Sequence, residues 1–278
     1  RYGDWLMLQF TSLALAARRE LLIDLLQQKL QPAGIWLRTE KGIREGEGLE
    51  LADGLIAGRE PPRPIFIEDQ GVRFGVDVVE GQKTGFYLDQ RTNRTAAARY
   101  LRGCRVLDLF CHSGGFGLAA LKSGNAAGVL GIDVSEPALK LARANAELND
   151  VSSAIRFEQG KAFDALERLG GAGEQFDAVV LDPPKMTRHS SGFQKALRGY
   201  FSLNRLPLDL RKPGGILVSC SCSAHVGRRD FEEMLATVAL RANRPIQILE
   251  ARGQAADHPV SVHCLETNYL KCYICRVG

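Results

Sequence analysis

From Gln90 onward, short apolar runs alternate with longer stretches whose apolar residues recur at helical spacing. Residues 106–110, 127–132, 155–157, 176–181 and 215–222 predict strands. Residues 92–101, 116–122, 137–148, 162–169, 194–210 and 229–242 predict helices, with a kink at Pro207. Residues 246–251 and 269–277 add closing strands, and an antiparallel pairing there suits a mixed sheet. Strand alternating with helix in this way is the signature of a doubly wound α/β sheet.

The stretch before Gln90 has a different rhythm. Residues 6–10 read as a strand, and Thr11 or Ser12 caps a helix running to about Leu30. Leu15, Leu22, Leu25, Leu26 and Leu30 form its apolar stripe. Residues 33–38 read as a strand and 40–50 as a charged, glycine-rich stretch. Arg59-Glu60-Pro61-Pro62-Arg63-Pro64 interrupts any regular element. Residues 65–68 and 72–78 flank Asp69-Gln70-Gly71 as a hairpin. The division predicted is a small α+β domain over 1–84 and an α/β domain over 85–278. A strand close to Arg1 needs a partner, which leads to the expectation that the chain once continued before Arg1.

Composition narrows the class. A chain of 278 residues, 45% hydrophobic and 24% charged, can bury a sizeable core and is not disordered. The net charge of +4 is compatible with a polyanionic partner but does not demand one. Arg18, Arg19, Glu20 and Asp24 interrupt the apolar residues between Leu6 and Leu30, so no membrane span or secretory leader is read there. Seven cysteines in a chain this long do not suggest a disulfide framework. Cys272 and Cys275 have a C-x2-C spacing, but Tyr269 to Cys275 reads as a strand and no second pair accompanies them, so no metal is expected.

The strand 106–110 runs into Cys111-His112-Ser113-Gly114-Gly115-Phe116-Gly117, where glycines permit a tight turn and close approach to a ligand. Asp108 stands just before that loop, where a pyrophosphate would meet a carboxylate but an ammonium would be welcome. Asp133 ends the next strand and is placed to accept both hydroxyls of a ribose. The two acids suit S-adenosylmethionine better than a dinucleotide. Asp182-Pro183-Pro184-Lys185 follows the strand 176–181 at the same edge, a stiff turn able to hold a flat base. Cys222 closes the strand 215–222 at that edge. Cys220 shares its strand face by alternation, so the residues alone leave both thiols as candidate nucleophiles.

Asp108-Leu109-Phe110-x-x-Ser113-Gly114-Gly115-Phe116, Gly131-Ile132-Asp133 and Asp182-Pro183-Pro184-Lys185 resemble the class I methyltransferases, whose sheet is Rossmann-like. Gly85-Phe86-Tyr87-Leu88-Asp89-Gln90-Arg91, Ser221-Cys222-Ser223 and Ala256-Asp257-His258-Pro259 resemble, more narrowly, the bacterial 23S rRNA cytosine-C5 methyltransferases. The resemblance runs over essentially the whole chain. It implies an N-terminal PUA module ahead of the small domain, which this chain would begin just after. It implies a cofactor site lined by Lys83, Phe86, Tyr87, Gln90, Arg91, Asp108, Phe110, Ser113, Gly114, Gly115, Phe116, Asp133, Val134, Ala162, Phe163 and Asp182. Gln90 or Arg91 would meet the methionine carboxylate, and Phe86 and Tyr87 would cover the site. Lys161 stands where relatives place an acid for the adenine amino group, so backbone near Ala162 would take over that contact.

By the family register Cys222 is the nucleophile that adds to carbon 6 of cytosine, activating carbon 5 toward a methyl donor. Asp182 would bind the base, and Lys185 the base or a phosphate. A second cysteine common in related enzymes would fall at Pro184, so either a water or Asp182 takes the carbon-5 proton. Lys185, Arg188, His189, Lys195 and Arg198 would steer RNA phosphates. His258 serves either as a hydrogen-bonding strut or as a catalytic group. The implied partner is rRNA or a large-subunit assembly intermediate, in the cytoplasm, with a homodimer left open. Two alternatives stand beside this. One is an rRNA guanine-N2 methyltransferase with Cys222 merely structural. The other is an RNA-binding or assembly protein with a vestigial cofactor pocket.

Overall fold

The computed structural model describes residues 1–39, 41–79, 85–187 and 189–278. It divides into two units, Arg1–Asp69 with Arg73–Tyr87, and Gln70–Val72 with Leu88–Gly278. Gly85, Phe86 and Tyr87, which the sequence reading gave to the second domain, group with the first.

The first unit contains β1 (Trp5–Leu8), α1 (Leu13–Ala16), α2 (Arg19–Leu30), β2 (Gly34–Leu37), α3 (Lys41–Glu47), β3 (Gly54–Gly58), β4 (Ile65–Asp69) and, but for its first residue, β5 (Val72–Val76). Ser12 caps α1 by accepting from the backbone N–H of Leu15. The single helix expected to Leu30 is broken at Ala17 and Arg18. Of its stripe, Leu22 packs on the small core of Phe10, Ala16, Leu37 and Leu49, while Leu15, Leu25 and Leu30 lie exposed. The two helices carry the chain back so that β1 pairs parallel with β2, and β2 pairs antiparallel with β3. β1 thus finds a partner within the chain, in β2. Gly54-Leu55-Ile56-Ala57-Gly58 was not foreseen as a strand because its glycines mask the pattern. At Gly58, with φ +73°, a Cβ would lie 2.4 Å from the Ala33 carbonyl oxygen, so the close approach to β2 demands glycine.

The second unit contains α4 (Arg91–Ala98), β6 (Arg105–Leu109), α5 (Gly115–Lys122), β7 (Gly128–Asp133), α6 (Glu136–Leu148), β8 (Ile155–Gln159), α7 (Ala162–Gly171), β9 (Phe176–Leu181), α8 (Phe193–Arg205), β10 (Arg211–Ser221), α9 (Arg228–Ala242), β11 (Ile246–Arg252) and β12 (Lys271–Val277). Its sheet has the order β11-β12-β10-β9-β6-β7-β8. β6 to β10 are mutually parallel, and β12 runs antiparallel to both β10 and β11. β6 is buried from Val106 to Leu109, as expected of a central strand covered on both faces. The kink anticipated at Pro207 is a stop. α8 ends at Arg205 and Leu206–Leu208 forms a short 3-10 turn, because proline lacks the N–H that would continue the helix. Leu107, Val179, Leu217, Tyr200, Phe231 and Tyr273 belong to one buried core, with Phe231 edge-on to Tyr200 and stacked on Tyr273.

After β6 the chain builds outward through β7 and β8, then returns to place β9 on the other side of β6. That reversal opens a crevice beyond the carboxyl ends of β6 and β9, where ligands of open α/β sheets bind. Among the described residues, no helix is long and apolar enough to cross a membrane.

Candidate active site

The loop after β6 turns through a series of positive φ angles, at Phe110 (64°), His112 (48°) and Gly114 (85°). Non-glycine residues hold such angles only where their surroundings enforce them, a feature of ligand-binding loops. Here the backbone N–H groups of Phe110 and Cys111 both donate to the Ile132 carbonyl, and Asn145 of α6 donates to the Ser113 carbonyl. Gly115 opens α5 against the buried side chain of Arg94 from α4, and a Cβ there would lie 3.1 Å from Arg94 Cδ.

Asp133 is clamped by its own surroundings: Oδ2 accepts from the His112 N–H at 3.0 Å and Oδ1 from the Ser135 N–H at 2.9 Å. Asp108 is buried and accepts from the Gly117 N–H at 2.9 Å. Burial raises its carboxyl pKa to about 8; the Gly117 bond opposes that shift, and the charges of Asp182 and Asp133 add to it. Three acids thus converge at the sheet edge with one of them desolvated, an environment complementary to a cation. Val134 and Phe163 leave apolar side chains exposed after β7 and at the start of α7, and Ala162 is buried. Lys161 caps α7 by backbone geometry alone, with no side-chain bond, and is solvent-exposed.

Asp182 follows β9, and Gln90 Nε2 donates to its Oδ1 at 2.9 Å. The other end of the Gln90 amide accepts from Asn93, so this buried residue is committed to orienting Asp182. Arg91 pairs with Asp257 at 3.4 Å. His258 stands against Asp257 at 3.3 Å, and the Ala255 N–H reaches the Asp89 carbonyl, which pins the 255–258 loop beside α4.

Cys222 lies just past the end of β10, half-buried, with its Sγ 3.8 Å from the Pro183 carbonyl oxygen. The thiol and Asp182 therefore share the Asp-Pro-Pro turn. Cys220 is 1% exposed, opposite Cys272 of β12 in the sheet register. Burial, then Cys272, holds its pKa well above the ordinary thiol value. Of the two thiols left open by the sequence, the structure leaves Cys222 accessible. Cys272 and Cys275 both lie inside β12, an odd number of residues apart, so they face opposite sides of the sheet and cannot share an ion.

The loop that carries Cys222 rests on polar groups that sequence reasoning missed. Tyr200 of α8 is fully buried; its hydroxyl accepts from Ser221 Oγ at 2.9 Å and lies 3.0 Å from Ser223 Oγ. Ser223 Oγ in turn accepts from the Met186 N–H, tying the turn after Asp182 to the turn after β10. Burial pushes the Tyr200 phenol up to about 12, so it stays protonated. The signal available was the serine–cysteine alternation at the end of an otherwise apolar strand. Tyr269 donates to Asp89 Oδ2 at 2.7 Å.

Phe86 and Tyr87 belong to the first unit, where the Phe86 ring packs 4.7 Å from Phe74 and the Phe86 backbone bonds to the Tyr2 hydroxyl. Lys83 and Arg188 lie outside the described residues. Lys185, His189, Lys195 and Arg198 are exposed.

Residues 53–258 match the model of a family described as S-adenosylmethionine-dependent methyltransferase. The chain is 41% identical over 278 residues to the ribosomal RNA large subunit methyltransferase I of Photobacterium profundum, covering 100% of this chain and 70% of that protein. It is 44% identical to the protein of the same name from Tolumonas auensis, covering 99% and 70%. Among solved structures it resembles a candidate methyltransferase from Streptococcus mutans, with a TM-score of 0.85 at 21% identity over 99% of this chain and 69% of that one. It also resembles Trm5b from Pyrococcus abyssi, with a TM-score of 0.69 at 16% identity over 99% and 73%. At these identities the two structures speak for the fold alone.

Proposed function

Because the chain belongs to the S-adenosylmethionine-dependent methyltransferase family, we propose that it methylates carbon 5 of a cytosine in large-subunit rRNA, with Cys222 as the nucleophile. The observation that carries this reading is the place of the Cys222 thiol, accessible and against the Pro183 carbonyl of the turn that follows Asp182. The rRNA substrate is taken from the named relatives, which match along the whole of this chain.

The residues present fit the cofactor. Asp108, buried with a raised pKa, is suited to a cationic amino-acid group, and Asp133, its carboxylate fixed by two backbone N–H groups, to the ribose hydroxyls. The backbone at Ser113, Gly114, Gly115 and Phe116 lets the ligand approach closely. Val134, Phe163 and the Ala162 backbone suit the adenine, since Lys161 has no acceptor to offer. Gln90, which holds Asp182, or Arg91, which stands against Asp257, would meet the methionine carboxylate. When bound, S-adenosylmethionine supplies an electrophilic methyl group on a sulfonium.

Asp182, aimed by Gln90, accepts the cytosine amino group and holds the ring against the Pro183–Pro184 turn. The target base is taken out of its stack to reach the thiol. Addition of the Cys222 thiolate to carbon 6 makes carbon 5 nucleophilic. After methylation, loss of the carbon-5 proton and elimination of the thiolate restore the ring. Exposed Lys185, His189, Lys195 and Arg198 offer positive charge to the RNA backbone. All seven cysteines are thiols, including the facing pair Cys220 and Cys272, which suits a reducing, cytoplasmic setting.

The test is methyl incorporation into large-subunit rRNA by Cys222→Ala and Cys220→Ala, with folding checked by thermal melting. Cys222→Ala should be inactive and Cys220→Ala should retain activity. An active Cys222→Ala enzyme would overturn the covalent route and favour transfer to an exocyclic nitrogen such as guanine N2. A folded protein that fails to bind the cofactor would favour a vestigial pocket.

A further inference from the structure

Lys271 is the first residue of β12 and is 1% exposed, an unusual place for a lysine. Its ammonium donates to three backbone carbonyls: Ser223 at 2.7 Å, Val226 at 2.6 Å and Tyr269 at 2.9 Å. All three of its donors are thus spent on main chain. Two of the carbonyls belong to the segment between β10 and α9, which begins at Cys222, and the third belongs to the approach to β12. In the sheet, Lys271 sits opposite Ser221, the residue before Cys222.

A buried charge is costly unless its donors are satisfied, and here three backbone carbonyls satisfy them. The groups whose charges act on the ammonium are the Cys222 thiol at the end of β10, and Arg228 and Asp230 in the first turn of α9. Burial lowers its pKa to about 8; Arg228 also lowers it, while Cys222 and Asp230 raise it. The cation is therefore retained at neutral pH and gains from a negative charge on Cys222. By the same coupling, it favours the thiolate.

We propose that Lys271 is a positioning residue of the Cys222 site: its buried ammonium clamps the 223–226 turn to the start of β12 and holds a positive charge beside the thiol. This rests on reading Cys222 as the nucleophile, but the coupling between the two groups is a property of the folded protein and is measurable without methyl transfer. Three donors to the main chain fix where Cys222 emerges. One charge favours its ionised form, the form that adds to carbon 6.

The experiment compares the wild-type chain with Lys271→Met, Lys271→Gln and Lys271→Arg. For each, the rate of Cys222 carbamidomethylation is followed by peptide mass spectrometry from pH 6 to 10, and cofactor binding is measured by calorimetry to report the fold. In Lys271→Met the midpoint for Cys222 alkylation should rise by about one pH unit, slowing alkylation at pH 7 by up to about tenfold. Methyl transfer should fall at least as far, with the cofactor dissociation constant within about twofold of wild type. Lys271→Arg keeps the charge and should bring the alkylation midpoint back toward wild type. If the methionine variant does not fold, Lys271→Gln decides, since it is neutral but still donates two hydrogen bonds. An unchanged Cys222 midpoint in a folded neutral variant would overturn the proposal. An active Cys222→Ala enzyme would instead overturn the nucleophile reading, while leaving the alkylation result to stand on its own.

Discussion

Replacing Asp108 by Asn removes an ionisable group that the fold holds near neutrality. Burial puts its pKa at about 8, against an ordinary carboxyl value of 3.8. At pH 7 the carboxyl is therefore mostly protonated, and ionising it costs about 1.4 kcal/mol. If Asp108 must be ionised beside the ammonium of the cofactor, binding releases its proton, and affinity rises with pH until Asp108 is already ionised. With a pKa near 8, the dissociation constant should fall by about 25-fold between pH 6 and pH 7.5. The sign for stability is opposite. The folded state binds more protons than the unfolded one between about pH 4 and pH 8, so Asp108 contributes stability that is lost as pH rises through that window. Isothermal titration across pH 6 to 7.5, in two buffers of different ionisation enthalpy, measures both the affinity and the proton released. Asp108→Asn should bind more weakly at pH 7.5 and lose most of the slope. A flat wild-type affinity over this range, or a slope that survives in Asp108→Asn, would refute the role given to Asp108.

Asp133→Ala should weaken cofactor binding at least about tenfold, each lost charge-assisted hydrogen bond costing roughly 1.5–3 kcal/mol; an unchanged calorimetric dissociation constant would remove Asp133 from the site. Tyr200→Phe deletes the hydroxyl between Ser221 and Ser223 and should cost about 1–3 kcal/mol in a denaturant titration, with slower methyl transfer but nearly intact cofactor binding. Gly131→Ala puts a Cβ 2.7 Å from the Phe157 ring and 3.1 Å from Cys111 Sγ, and should lower stability by about 1–3 kcal/mol through overpacking beneath the cofactor loop; a thermal melt matching wild type would show that the ring can move aside.

The α/β half was legible because its chemistry is local. Strands such as 176–181 are unbroken apolar runs, helices such as α6 carry a serine cap with a proline in the first turn, and acids mark the strand ends. Asp108, Asp133, Asp182 and Cys222 could be singled out because a parallel sheet brings the ends of its strands to one edge whatever the loops do. Pairings between distant segments were not legible. Nothing in the sequence says that Gln90 is committed to Asp182, that Arg91 meets Asp257, or that Tyr200 braces the serines around Cys222. The N-terminal unit was read least well. Its strands are short, β3 is bounded by glycines, and β1 finds its partner only after a helical crossover. The packing of the Phe86 ring on Phe74 was not legible either, since an aromatic in a motif looks the same whether it stacks on a ligand or on its own domain. Lys271 was the signal most open to notice, a lone lysine at the head of a mostly apolar terminal strand.

The claim that Cys222 attacks cytosine is tested most directly by incubating the protein and S-adenosylmethionine with an rRNA fragment containing 5-fluorocytidine. Fluorine at carbon 5 cannot leave as a proton does, so the thiol adduct persists after methyl transfer. A denaturation-resistant protein–RNA complex should form, with the methylated base attached to Cys222 in the digested peptide. Methyl transfer to the RNA with no such complex, or a complex attached through Cys220, would contradict it.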